Sequence, residues 1–156
     1  MKRRFAGVLE TIGNTPLVEI RKLNPNPKVR VFAKLESFNP GGSVKDRPAL
    51  YMIERAEERG ELTRDRIILE ATSGNTGIGL AMVAAAKGYR LCLTLSESAS
   101  EERKKILKAL GAELRFTPAA LGTDGAIEEA YSIMRENPGR YFLVDQFNNE
   151  DNIAAH

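Results

Sequence analysis

The stretch Arg66-Ile67-Ile68-Leu69-Glu70, continuing into Thr72-Ser73-Gly74-Asn75-Thr76-Gly77 and a small apolar run that reaches Lys87, decides the reading of the chain. The first segment is short, aliphatic and nearly unbroken, the pattern of a strand buried on both faces. The last is apolar almost all round, so a buried helix is expected over Thr76 to Lys87. The turn between them gathers hydroxyls, an amide and free backbone N–H groups at a helix N-terminus, which suits a carboxylate or a phosphate. It reads equally as an ordinary Thr/Ser helix cap. It has no Lys after its glycines and lacks the dinucleotide glycine spacing, so neither phosphate fingerprint is present.

The same rhythm extends outward. Strand patterns cover Val29 to Leu35, Arg90 to Leu95, Ala112 to Thr117 and Tyr141 to Gln146. Helical patterns cover Asp46 to Arg59, Ser98 to Leu110 and Asp124 to Glu136. The first of these helices carries Ala49, Met52, Ile53 and Ala56 on one face. The second places Glu101 and Glu102 first and Lys104, Lys105 and Lys108 later, which complements the helix dipole. Strand starts near residues 66, 90, 113 and 141 leave gaps of 24, 23 and 28 residues, room for a helix and two loops each time. Repeated β-α-β units of this kind give an α/β fold: three αβα layers around a mainly parallel twisted sheet, with ligands at the carboxyl ends of the strands. The residues before Val29 break the rhythm. Gly13-Asn14-Thr15-Pro16 reads as a turn, Leu17 to Ile20 as a short strand and Asn24-Pro25-Asn26-Pro27 as a linker, together an arm that packs on something else.

A second loop carries chemistry: Asn39-Pro40-Gly41-Gly42-Ser43-Val44-Lys45-Asp46-Arg47, read as joining the first parallel strand to the first helix. Gly41 and Gly42 allow close backbone approach. Ser43 and Asp46 are candidate N-caps. Lys45 falls at the positive end of a helix, which favours its neutral, nucleophilic form. A solvent-facing lysine on a glycine-rich turn is the plainer alternative. A nucleophilic lysine beside a carboxylate cradle implies an amino acid bound as an imine, and such chemistry needs an electron sink of the kind pyridoxal phosphate supplies.

Composition limits the rest. The chain has 156 residues, Lys+Arg 23 against Asp+Glu 21, a net charge of +2, 42% apolar residues and 28% charged ones. That is an ordinary globular composition with mixed charge, which points to no nucleic-acid or membrane partner. Cys92 has no partner for an internal disulfide, and one histidine excludes a multi-histidine metal site. No metal is expected. The start Met1-Lys2-Arg3-Arg4 lacks a following apolar core, and the longest uncharged apolar stretch, Gly77 to Ala86, falls far short of the ~20 residues of a membrane span. A cytoplasmic location is expected.

Taken together, the runs Asn39 to Arg47, Thr72 to Gly77 and Gln146-Phe147 resemble the cysteine synthase and cystathionine β-synthase family, fold-type II pyridoxal-phosphate enzymes with a tryptophan synthase β-like fold. Ile12 to Leu17, Ala33-Lys34-Leu35-Glu36, Ser100 to Arg103 and Leu110-Gly111-Ala112 are similar to it as well. Asp46-Arg47-Pro48-Ala49 and Gln146-Phe147-Asn148-Asn149 look most like the cysteine synthase B type. The resemblance implies a β-replacement that makes L-cysteine from an activated serine (O-acetylserine or O-phosphoserine) and a sulfide donor, with pyridoxal 5'-phosphate as cofactor and a homodimer as the full-length assembly. It implies that Lys45 holds the cofactor and moves the α-proton, and that Asn75 contacts the cofactor's 3′-oxygen. It implies that Thr72, Ser73, Gly74 and Thr76 bind the substrate carboxylate, which Gln146 also reaches.

Family catalytic domains are longer than this chain, and their phosphate cup lies beyond the position matching His156. The chain therefore reads as an N-terminal half. Residues 1–35 would be an arm of the large domain, 36–145 the smaller α/β domain with both loops, and 146–156 the start of a large-domain segment. Two other functions stay open at this stage: cystathionine β-synthase, whose lysine loop is nearly identical, and a catalytically inert fragment that binds no cofactor.

Overall fold

The computed structural model describes residues 4–156; the first three residues of the basic N-terminal run lie outside the described residues. The first two strands, β1 (Leu17–Glu19) and β2 (Phe32–Lys34), pair antiparallel with Leu17 opposite Lys34. This corrects the reading of Val29 to Leu35 as the first strand of the parallel sheet. The run carries Arg30 and Lys34, so it cannot be buried on both faces. Arg30 instead meets Glu19 across the hairpin at 3.0 Å. Leu17, Val18, Val29 and Phe32 stay exposed.

The remaining strands form one parallel sheet. They are β3 (Ile67–Ala71), β4 (Arg90–Ser96), β5 (Glu113–Thr117) and β6 (Tyr141–Leu143), in the order β5-β4-β3-β6. Leu69 lies opposite Cys92 on one side and Leu143 on the other. The last strand is shorter than the apolar run predicts, because Asp145 turns the chain with φ +52°. The helices are α1 (Asp46–Glu58), α2 (Asn75–Lys87), α3 (Glu101–Ala109), α4 (Gly122–Glu136) and the short α5 (Glu150–Ala154). The sequence reading missed α5, which is capped by Asn149 accepting the Asp151 N–H at 3.0 Å.

Each sheet face has its own core. On one, Met52 and Ile53 of α1, Leu80 and Val83 of α2 and Leu107 of α3 pack with Ile68, Leu93 and Leu95. On the other, Ala126, Ala130 and Ile133 of α4 pack with Ile67, Leu69, Cys92 and Tyr141. The three αβα layers expected from the spacing are present. The face Ala49, Met52, Ile53 and Ala56 is fully buried, as its helical period requires. Among the described residues no helix is long and apolar enough to cross a membrane.

Topology selects the functional edge. The chain steps outward from β3 through α2 to β4 and through α3 to β5. It then crosses the opposite face in α4 and returns to β6, beside β3. Strand order reverses between β3 and β6, so the loops leaving their carboxyl ends flank the crevice where such sheets bind ligands. The loop after β3 is the Thr72–Gly77 turn, and the loop after β6 carries Gln146.

The core and the arm differ in what they contribute. Met52→Ala, at a fully buried site, is expected to lower unfolding free energy by about 2–5 kcal/mol. Leu17→Ala, at a site 62% exposed, is expected to change it by no more than ~0.5 kcal/mol. Urea unfolding of the two variants measures both; equal losses would show that the hairpin belongs to the core.

Candidate functional site

The lysine loop is shaped by its own backbone. The Lys45 carbonyl accepts the first helical bond of α1, from the Ala49 N–H at 3.1 Å. The Ser43 hydroxyl accepts the Lys45 N–H at 3.2 Å. Neither Ser43 nor Asp46 is the N-cap that the sequence suggested. Lys45 holds that position without a side-chain cap, and Asp46 is the first residue of α1. The Asp46 carboxylate turns back to accept the Gly41 N–H at 2.5 Å. A Cβ on Gly41 would stand 2.4 Å from Asp46 Oδ1, so a side chain there would have to displace the Asp46 carboxylate. Asp46 is fully buried, and desolvation raises its pKa against the opposing bond from Gly41.

A polar clamp ties this loop to the N-terminal arm. Glu36 accepts from Arg47 Nε at 2.8 Å, from the Thr15 hydroxyl at 2.6 Å and from Asn39 Nδ2 at 2.8 Å. Asn39 in turn accepts the Gly13 N–H at 2.8 Å. The Arg47 guanidinium holds the Glu36 carboxyl down to about 2. The Gly13-Asn14-Thr15 turn, read from sequence as part of an arm that packs on something else, is bonded directly to the loop that carries Lys45.

The second loop opens at the end of β3. The Thr72 N–H continues the sheet to the Thr94 carbonyl at 3.0 Å, and the Thr72 hydroxyl oxygen accepts the Gly74 N–H at 3.2 Å. Asn75 is the first residue of α2 and is exposed, while Thr76 is buried. The Thr76 hydroxyl donates to Gln146 Oε1 at 2.8 Å, joining residues seventy positions apart across the crevice. Gln146 Nε2 donates to Glu70 Oε1 at 3.1 Å, and the Gln146 backbone N–H donates to Glu70 Oε2 at 3.2 Å. Glu70 was not singled out from sequence. The signal was there, an acid at the end of the unbroken run Ile67-Ile68-Leu69. It is 2% exposed, and burial pushes its pKa up to about 7 against the three bonds it accepts from Gln146 and Ala71.

The two loops meet through α2. A Cβ on Gly79 would lie 3.0 Å from the Ala49 Cβ and 3.1 Å from the Lys45 carbonyl oxygen. The first turn of α1 therefore rests on the backbone of α2, one turn beyond Asn75 and Thr76. Ser73 and Gly74 lie half-buried in the turn beside them. Among the described residues no group of three His, Cys, Asp or Glu side chains is placed to hold a metal.

A parallel α/β domain with a lysine at one helix start and a hydroxyl-rich turn at the start of the neighbouring helix defines the class. The chain belongs to the pyridoxal-phosphate dependent enzyme family, whose sequence model matches residues 8–156. It is 52% identical over 153 residues to a cysteine synthase of a Flavobacterium species, covering 98% of this chain and 49% of that protein. It is 49% identical over 147 residues to cysteine synthase B of Escherichia coli, covering 94% of this chain and 48% of that one. The crystal structure of a cysteine synthase from Entamoeba histolytica superposes with a TM-score of 0.95 at 46% identity, covering 99% of this chain and 47% of that chain. The chain thus spans about half the length of these relatives.

Pyridoxal 5'-phosphate is the cofactor of this family. The Lys45 amine and the exposed Asn75 amide, donor types that would suit its carbonyl and ring-hydroxyl end, stand on two helices that touch where the first turn of α1 meets Gly79.

The clamp gives a pH signature. Glu36 is ordinary at 4.5 and held near 2 in the fold. Its contribution to stability is therefore complete above about pH 4.5 and lost as pH falls toward 2. Glu36→Gln is expected to be less stable than the parent at pH 6, with the difference shrinking by pH 3. Urea unfolding at both pH values checks this; a constant difference would show that the clamp's charge does not matter.

Proposed function

We propose that this chain supplies the lysine-bearing half of an enzyme that makes L-cysteine by β-replacement, from O-acetylserine or O-phosphoserine and sulfide. The observation that carries the reading is the contact at Gly79, which holds the Lys45 backbone against the helix that begins with Asn75 and Thr76. Relatives about 50% identical are cysteine synthases, which supports sulfide as the acceptor. In the net reaction the serine Cβ–O bond breaks, its oxygen substituent leaves and a Cβ–S bond forms. When bound, pyridoxal phosphate supplies an electron sink for negative charge at the substrate Cα.

The chain's own residues do the rest. Lys45 Nζ takes the α-proton and later returns it. The Asn75 amide orients the cofactor ring through its 3′-oxygen. The substrate carboxylate lies against the N–H groups at the start of α2, which have no partners within the helix. The Thr72, Ser73 and Thr76 hydroxyls and the Gln146 amide complete that cradle. Residues 36–145 form the smaller domain on this reading. Residues 1–35 and 146–156 pack with a second domain, and the exposed Leu17, Val18, Val29 and Phe32 of the hairpin suit burial there. The whole protein works as a cytoplasmic homodimer.

Treatment of the whole protein with one equivalent of pyridoxal phosphate, then borohydride and digestion, is expected to place the pyridoxyl label on the peptide containing Lys45. Label on the Lys34 peptide would overturn the assignment.

A further inference from the structure

The Gln146 amide has two ends, and the structure commits both. Nε2 donates to Glu70 Oε1 at 3.1 Å and to the Ala71 carbonyl at 3.4 Å, while Oε1 accepts the Thr76 hydroxyl at 2.8 Å. The orientation follows from charge. An ionised carboxylate only accepts, so the –NH₂ end of the amide must face it. Thr76 owns a single hydroxyl hydrogen, and that hydrogen is directed at Gln146. In this arrangement neither side chain offers a hydrogen to an anion in the Thr72–Gly77 turn.

A proton on Glu70 reverses the order. The carboxylic acid then donates to the amide oxygen, and the Gln146 amide turns over about its terminal bond, giving up its 3.4 Å bond to the Ala71 carbonyl in exchange for the stronger bond from the acid. Nε2 then faces Thr76 and donates to its hydroxyl oxygen, which releases the hydroxyl hydrogen toward the turn. The backbone need not move. The Ala71 and Gln146 N–H groups, at 3.0 and 3.2 Å, keep the carboxyl in place throughout. Glu70 is suited to the change, because burial at the end of β3 pushes its pKa up to about 7. The titratable groups that face it are Asp145, from the loop after β6, and Tyr131, from α4; the Asp145 charge pushes it further up.

We propose that Glu70 is a positioning residue that, by taking up one proton from solvent, flips the Gln146 amide and turns the Thr76 hydroxyl from Gln146 toward a carboxylate bound in the turn. The inference rests on reading that turn as the carboxylate site. Apart from the proton, no covalent bond forms or breaks.

NMR of the isotopically labelled chain tests it, with acetate as the probe. Without acetate, the Glu70 side-chain carboxyl carbon and the Gln146 side-chain amide nitrogen are expected to titrate with one common midpoint. Acetate is expected to shift the amides of Thr72–Gly77, raise that midpoint, and bind severalfold more tightly at pH 6 than at pH 8. In Glu70→Gln, whose amide donates permanently in place of the acid, acetate binding is expected to lose its pH dependence. In Gln146→Met, Glu70 still titrates, and acetate moves its midpoint only by the direct effect of its charge, less than in the parent. A Gln146 signal indifferent to the Glu70 titration would overturn the proposal, as would acetate binding that leaves the Glu70 midpoint unmoved. Acetate that shifts no amide of the turn would instead overturn the carboxylate reading, and the acetate-free titration would still decide the flip.

Discussion

The functional edge of this molecule depends on one close contact, the backbone of α2 at Gly79 against the Lys45 carbonyl and the Ala49 side chain. A Cβ there would require α1 to give by a few tenths of an ångström, and a branched side chain would push it further from α2. The distance between the two helix starts would grow, and with it the distance between Lys45 and the Thr72–Gly77 turn. The contact costs something locally, since glycine inside a helix is worth about 1 kcal/mol less than alanine. It is tolerated because α2 is buried almost all round and held by Leu80 and Val83 in the core.

Other constraints serve that contact. Gly41 makes room for the Asp46 carboxylate, whose bond to the Gly41 N–H folds the lysine loop onto the head of α1. The Glu36–Arg47–Thr15 clamp fastens the loop from outside and brings the Gly13–Thr15 turn to its rim. On the far side, the return of β6 beside β3 brings Gln146 over the turn. Three segments far apart in sequence thus meet at this edge of the sheet, and each is fixed by bonds that do not depend on a ligand.

Much of this was legible in the sequence, for local reasons. The helical period of Ala49, Met52, Ile53 and Ala56 fixes the buried face of α1 whatever it packs against. The unbroken run Ile67-Ile68-Leu69 marks a central strand, and the glycines and hydroxyls of both loops mark helix starts. What was not legible is non-local. Val29 to Leu35 has strand character, but its central residues Phe32–Lys34 pair with Leu17–Glu19 in a hairpin rather than with the sheet. The role of Ser43 and Asp46 turned on a carboxylate reaching back five residues to Gly41. Glu70 acquires meaning only once the topology places Gln146 beside it, which no spacing along the chain announces.

The central claim is that steric room at Gly79 sets the approach of the two helix starts. A double-mutant cycle in unfolding free energy tests it most directly. The account predicts that Gly79→Val destabilises the chain by about 1–3 kcal/mol. It also predicts that the same change in an Ala49→Gly background costs less, with a coupling larger than ~0.5 kcal/mol. A Gly79→Val variant as stable as the parent, or effects of the two substitutions that simply add, would contradict it.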